Sequence, residues 1–418
     1  MKSRVAYASR LSQLLRDFPA VAVVGPRQAG KSTLVRQHAA GLKRGTATYF
    51  DLERPADEAR LTMAPADDLT LLQRTSGLIC IDEIQRQPQL FSIVRPLLDD
   101  PRRRARYILL GSASPGVVRG VSESLAGRVG FLDLTPFLAC EVEATAGRSR
   151  QRLWSRGGFP KSLLARSDRA SFEWRDNYFR AFVERDLRQL GLELPAVGLR
   201  RLLSLVAHVH GGLLNYSNIA VAMGVSTPTA IRYLEILEGA FLVRRLQPYY
   251  ANVGKRLVKS PKLYVRDSGL LHAILGLTNA NGLRSHPKVG ASWEGWVLEQ
   301  LVGTIALSGQ KATPYFWRTH GGAEVDLLVE IAGELIPFET KLADAPRLTR
   351  GLVECMKDLG LNRAFVVHGG EATYPMRDGV WALAMTDLAD EQRFARLLTA
   401  GRAKGVRGSR RDLRGKSG

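Results

Sequence analysis

At 418 residues, with 45% hydrophobic and 24% charged residues, the chain is too long for one ordinary core and too apolar to be largely disordered, so roughly two to four domains are expected. Its three cysteines, Cys80, Cys140 and Cys355, form no CxxC pair, which excludes a zinc ribbon and a disulfide framework. No apolar run reaches the roughly 20 residues of a membrane-spanning helix, and a cytoplasmic protein without a membrane partner is expected.

The opening stretch MKSRVAYASRLSQLLRDFPA is an amphipathic helix without a signal-peptide cleavage site. Short β-branched runs then alternate with helical patterns: strands at 20–24, 47–52, 78–81, 107–110 and 131–134, and helices at 32–40 and 89–98. Strands that are apolar at consecutive positions belong in a parallel sheet covered on both faces, so an α/β doubly wound N-terminal part is predicted.

The first of these strands runs into VVGPRQAGKST, which matches GxxxxGK[ST] and opens a helix, the context that gives the pattern its meaning. Gly25 and Gly30 let the backbone curl, so that the loop of Pro26, Arg27, Gln28, Ala29, Gly30, Lys31, Ser32 and Thr33 surrounds phosphate oxygens at a helix N-terminus, every residue but Pro26 carrying an N–H to aim at them. Lys31 is expected on the β- and γ-phosphates and Ser32 on Mg²⁺. LICIDEIQ supplies the complementary half: Asp82 ends an apolar strand and would hold the metal through water, while Glu83 would orient or deprotonate the attacking water. This predicts ATP and Mg²⁺ as ligands, with hydrolysis favoured over passive binding by the adjacent acid pair. Ser112, ending YILLGS, is a further candidate for the γ-phosphate. Arg128 has two open readings, a transition-state cation acting within one subunit or across a homo-oligomer, and an ordinary salt-bridged arginine.

Residues 154–190 turn helical. A helix–turn–helix pattern follows, with helices at 199–210, 217–223 and 227–238, Gly224 in the turn and a strand at 241–246, the order of a winged helix. Glu235 and Glu238 on the last helix argue against base readout, whereas Arg244, Arg245, Lys255, Arg256, Lys259 and Lys262 suggest a sequence-independent grip on phosphates. His208 and His210 share no helix face and make poor metal ligands. Trp154, Trp174, Trp293 and Trp296 are expected as packing anchors.

Beyond a boundary at 282–287, a helix at 291–308 leads to strands at 315–318, 324–331, 335–342, 363–368 and 380–384. Within them Asp326 and Glu339-Thr340-Lys341 fit a D...ExK nuclease pattern. Alternation along a strand puts Glu339 and Lys341 on one face, and a turn at Gly333-Glu334 would bring Asp326 beside them. Two carboxylates form a hard-cation site of the kind phosphodiester hydrolysis uses, with Lys341 orienting water and Glu294 as the remaining acid.

The runs GPRQAGKSTL, LICIDEIQ, LLGSAS and SLAGRVGFLDLTPF, followed by RGGFPKSLL, YFRAFVERDL, KLYVRDSGLL, GASWEGWVLEQL, EVDLLVE and IPFETK, resemble the bacterial and archaeal AAA-type ATPases whose C-terminal half is the domain of unknown function 4143. The resemblance implies a P-loop NTPase core at residues 1–150, a helical and winged-helix middle at 151–282 and a restriction-endonuclease-like α/β domain at 283–400. Residues 401–418 are expected as a disordered basic tail, with seven Lys or Arg against Asp412 alone in a chain of formal net charge +20. Two functions remain open: an ATPase coupled to a nuclease acting on nucleic acid, and a nucleotide-dependent regulatory or scaffold ATPase whose nuclease-like domain cuts nothing.

Overall fold

The computed structural model describes residues 4–43, 46–62, 70–102, 104–112, 124–142, 147–182, 194–250 and 258–399. The basic tail, Lys255, Arg256 and the end of the YFRAFVERDL run lie outside the described residues. The chain divides into two compact units: the first holds residues up to Pro248 and Lys259–Lys311, the second Tyr249–Val258 and everything from Ala312.

The first unit opens with helix Val5–Asp17 and a parallel sheet of β1 (Ala20–Gly25), β2 (Ala47–Asp51), β3 (Leu78–Asp82), β4 (Arg106–Ser112) and β5 (Val129–Asp133). Their spatial order is β2-β3-β4-β1-β5, with Ala20 opposite Tyr107 on one side and Val129 on the other. The residues of β1 are buried throughout because the sheet is packed on both faces. Ala20, Ala22 and Val24 join a core with Leu90, Phe91 and Val94 of helix Leu90–Asp99. Val21 and Val23 point the other way, to Tyr7, Leu11 and Leu14 of the first helix and Leu34 and Val35 of helix Lys31–Ala40. Alternating faces of one strand thus anchor two helical layers.

Further along, helices Ala196–Val209, Tyr216–Met223 and Thr227–Gly239 pack around Leu202, Val206, Ala220, Leu234 and Leu237. Asn215 and Ser226 cap the second and third helices by accepting from the Asn218 and Thr229 amides, and Gly224 makes the turn between them at φ +66°. A small antiparallel sheet follows, built from β6 (Gly212–Leu213), β7 (Val243–Pro248) and β8 (Lys262–Val265) in the order β7-β8-β6. The strand expected from residue 241 starts at Val243, since Phe241 takes a turn conformation at φ +60°.

Helix Val289–Leu307, which the sequence places at the head of the C-terminal domain, clusters with the first unit. Its Gly295 faces His210 and its Gly303 faces Leu138, each so closely that an added Cβ would come within 2.8 Å of a neighbouring atom.

The second unit is a mixed sheet of β9 (Ala312–Arg318), β10 (Glu324–Ile331), β11 (Glu334–Lys341), β12 (Ala364–His368), β13 (Tyr374–Arg377) and β14 (Val380–Ala384), ordered β13-β14-β12-β11-β10-β9. β9, β10 and β11 are antiparallel, and helix Arg350–Asp358 carries the chain over to β12, parallel to β11. Ala332 (φ +51°) and Gly333 (φ +81°) join β10 to β11 as a two-residue hairpin with both central residues left-handed, the type I′ geometry that matches strand twist. Trp317, Val325, Leu328, Leu352, Cys355 and Val366 form its core.

Candidate nucleotide site and a second carboxylate pair

The chain leaves β1 at Gly25, whose φ is +155°; a Cβ there would lie 2.1 Å from the Leu134 carbonyl oxygen, so no other residue fits. Gln28 (φ +61°) and Gly30 (φ +101°) complete the curl, and Gly30 stands at the N-terminus of helix Lys31–Ala40. Lys31, only 6% exposed, folds its ammonium back onto the carbonyl oxygens of Gly25 (2.9 Å) and Pro26 (3.0 Å). Burial pulls its pKa down to about 8, with Glu83 and then Asp82 partly restoring it. Arg27, Gln28, Ala29, Gly30, Lys31, Ser32, Thr33 and Glu83 line a cleft of about 740 Å³, a volume within the range of small-molecule sites. Pro160, Lys161 and Leu164, from the segment after the sheet, line it too.

Asp82 ends β3 and is 4% exposed. One carboxylate oxygen accepts the Glu83 amide at 3.0 Å and the other accepts the Tyr49 hydroxyl. Glu83 turns out of the strand at φ +56°, which carries its side chain to the cleft wall beside Gln85, whose amide donates to it. Ser112 ends β4 with its Cα opposite Gly25. A buried carboxylate at a strand end, a hydroxyl on the first turn of the facing helix and a phosphate-sized backbone curl are a donor set that fits a hydrated Mg²⁺.

In the second unit, the hairpin brings Asp326 and Glu339 to one place. The Thr340 amide and hydroxyl both donate to Asp326 Oδ2 at 2.8 Å, and Lys341 Nζ donates to Glu339 Oε1 at 2.8 Å. Glu339 is 4% exposed, and its other oxygen, Oε2, is buried with no hydrogen-bond partner. Burial and the charge of Asp326 push its pKa up to about 7, against the opposing pull of Lys341. Among the described residues no group of three or more His, Cys, Asp or Glu side chains is gathered for a metal. Glu294 belongs to the first unit, where Lys262 Nζ donates to it at 2.8 Å and the Tyr264 hydroxyl donates to the same oxygen.

Residues 17–143 match the family described as AAA domain, residues 147–281 the domain of unknown function DUF8612, and residues 289–388 the domain of unknown function DUF4143. Uncharacterized protein Rv2008c of Mycobacterium tuberculosis and Uncharacterized protein Mb2031c of Mycobacterium bovis are each 45% identical to this chain over 376 residues, which is 90% of it and 82% of theirs. The chain belongs to their family. Its N-terminal part is therefore an AAA domain and its C-terminal part a DUF4143 domain. The solved Walker-type ATPase PABY2304 of Pyrococcus abyssi is similar at 14% identity and TM-score 0.43, over 66% of this chain and 96% of that one.

Several expectations change in the folded chain. Arg128 is tied by two hydrogen bonds to Asp99 and donates to the Ala126 carbonyl; it is not among the residues lining the cleft. Three of the cations expected to grip phosphates are paired within the protein. Arg244 pairs with Glu299, Arg245 with Glu238 and Lys262 with Glu294. His210 is a core residue whose Nδ1 accepts the Val265 amide, leaving Nε2 to donate to the Ala291 carbonyl, and burial lowers its pKa to about 4. Trp154, Trp293 and Trp296 pack together with ring centroids 5.1–6.5 Å apart. No described helix is long and apolar enough to cross a membrane.

Two residues that matter to the site escaped the sequence reading. Arg4 is 4% exposed and stacks on Tyr7 and Phe137. It donates to the phosphate-loop carbonyl of Ala29, to Thr135 and Pro136, and to both oxygens of Glu141. The other is Tyr49. An arginine near the start of an amphipathic helix and a tyrosine on an edge strand carry no local signal of either contact.

Proposed function

We propose that this protein is a Mg²⁺-dependent ATPase whose turnover drives a nuclease-like site in the second unit that acts on nucleic acid. The observation that carries the ATPase reading is the convergence of the curled loop, Lys31 and Glu83 on one cleft, with Asp82 directly behind Glu83. On binding, Lys31 exchanges the Gly25 and Pro26 carbonyls for β- and γ-phosphate oxygens. The backbone amides from Gln28 to Thr33 hold the same oxygens, and Ser32 with Asp82 would hold the metal, which offsets phosphate charge when bound. Glu83 accepts a proton from the attacking water as the new P–O bond forms and the β–γ bridge breaks, leaving ADP and phosphate. Pro160 and Leu164 offer the nucleotide an apolar wall.

The nuclease reading is supported by the hairpin that brings the buried Glu339 carboxylate beside Asp326, two oxygen donors of the kind a hard cation takes. Asp326, Glu339 and the Thr340 carbonyl would hold Mg²⁺, and Lys341 would orient water towards a phosphodiester. A second reading is favoured by the two-carboxylate size of this cluster: a nucleotide-dependent scaffold whose restriction-endonuclease-like domain binds but does not cut.

Lys31→Ala tests the first part. ATP turnover should fall by about a hundredfold or more, with loss of nucleotide affinity; unchanged turnover and affinity sink it. Lys341→Ala tests the second: Mg²⁺-dependent cleavage of duplex, single-stranded or branched substrates should vanish while ATP turnover stays. Absence of cleavage by the wild-type protein on all three selects the scaffold reading.

A further inference from the structure

Tyr49 lies mid-way along the edge strand β2, opposite Cys80 of β3, and is half-buried. Its hydroxyl donates to Asp82 Oδ2, spanning 33 residues of sequence. The ring is held from above by Arg36 of the phosphate-loop helix, whose guanidinium carbon stands 4.6 Å from the ring centroid and whose Nη2 reaches Asp51 at 3.6 Å. The phenolic oxygen therefore ties the edge strand β2 to the carboxylate at the end of β3, under an arginine from the helix that follows β1.

Such an oxygen has a task that a phenylalanine could not perform. A carboxylate at the end of a strand can rotate about its terminal torsion, which is broad and soft. Asp82 has Oδ1 fixed by the Glu83 amide, and the Tyr49 hydroxyl fixes Oδ2. Together they set the carboxylate plane while leaving a lone pair on each oxygen for the water shell of a cation. Partners of this outer kind orient ligands and commonly change metal affinity tenfold or more when removed.

We propose that Tyr49 is a positioning residue of the magnesium site: its hydroxyl, with the ring braced by Arg36, holds the Asp82 carboxylate in the orientation that receives the MgATP complex. This rests on the ATPase reading above. Tyr49 touches neither nucleotide nor metal; it acts through Asp82.

Tyr49→Phe removes a single oxygen and keeps the ring under Arg36. Binding of a fluorescent ATP analogue is measured in EDTA and in excess Mg²⁺, together with the Mg²⁺ dependence of ATP turnover. Affinity in EDTA should match the wild type, while the gain in affinity on adding Mg²⁺ falls about tenfold and half-maximal turnover moves to correspondingly higher Mg²⁺. Asp82→Asn should lose the same gain, and the double variant should lose no more than Asp82→Asn alone, since both changes act on one contact. An unchanged Mg²⁺ gain in Tyr49→Phe, or additive losses in the double variant, overturns the proposal and leaves the ATPase reading standing. A wild-type protein that shows no Mg²⁺ gain at all overturns both.

Discussion

Two pairs of acidic residues, one where β3 ends and one on the β10–β11 hairpin, are solvated by the protein in opposite ways. Asp82 has each oxygen occupied by a donor, the Glu83 amide and the Tyr49 hydroxyl, so its negative charge is provided for before any cation arrives. Glu339 keeps one oxygen on Lys341 and buries the other beside a second carboxylate. The first arrangement fixes a carboxylate plane; the second resists ionising, and its pKa rises to about 7 for that reason. A site whose charge is pre-arranged suits repeated binding and release, whereas an under-supplied oxygen gains most from a cation that stays.

The sharpest way to break this comparison is Glu83→Gln. Removing the acceptor for the water proton should lower ATP turnover by about two orders of magnitude or more, with nucleotide affinity in Mg²⁺ nearly unchanged. A comparable loss of affinity would mean that Glu83 belongs to the metal shell with Asp82.

Next in size is Glu339→Gln, read as stability in EDTA. The folded pKa of Glu339 is raised from 4.5 to about 7, so between these values the folded chain holds a proton that the unfolded chain releases. Stability is fully present below pH 4.5 and is lost as pH climbs through 7. The variant should therefore melt higher than the wild type at pH 8, by up to roughly 3 kcal/mol, and similarly to it at pH 4. A wild-type protein insensitive to pH across that window would contradict the under-supplied oxygen.

The smallest effect is that of Gly333→Ala, with Gly25→Ala as its large-effect control. At Gly333 in the type I′ turn a Cβ would meet nothing within 4 Å, so Gly333→Ala should cost only the left-handed strain of an L-residue, about 1 kcal/mol. Gly25→Ala meets the Leu134 carbonyl at 2.1 Å and should cost nucleotide binding outright. Equal effects of the two substitutions on their units would mean that φ alone, not the wall behind Gly25, constrains the loop.

Much of this was legible in the chain. Apolar strands beside GxxxxGK[ST] and a strand ending in Asp-Glu announce a parallel sheet with a phosphate loop, because local pattern and local chemistry coincide there. The β10–β11 hairpin was also visible, in alternation and a turn expected at Gly333-Glu334, one residue later than the Ala332-Gly333 loop that forms, since Glu334 already pairs with Ile331. β8 was not: its four buried residues include Lys262, whose charge makes sense only beside Glu294, 32 positions later. Nor does the sequence show the carboxylates Glu299 and Glu238 that pair with Arg244 and Arg245. Tyr49 and Arg4 act across 33 and 137 residues, and only the folded chain brings those partners together.

The second unit is made of two pieces of chain, because Tyr249–Val258 leaves the first unit, joins it and returns before Ala312 begins the rest. The Tyr249 amide donates to Phe316 at 2.8 Å, and its ring packs on Tyr315. A single cut therefore cannot excise it. Expression from Val289 would strip the other unit of a helix with thirteen buried residues, while expression from Ala312 would leave β9 without its neighbour at Tyr249. For engineering, the natural parcel is the whole chain from the first helix to 399, and fusion partners belong at its ends rather than at the junction the sequence suggests.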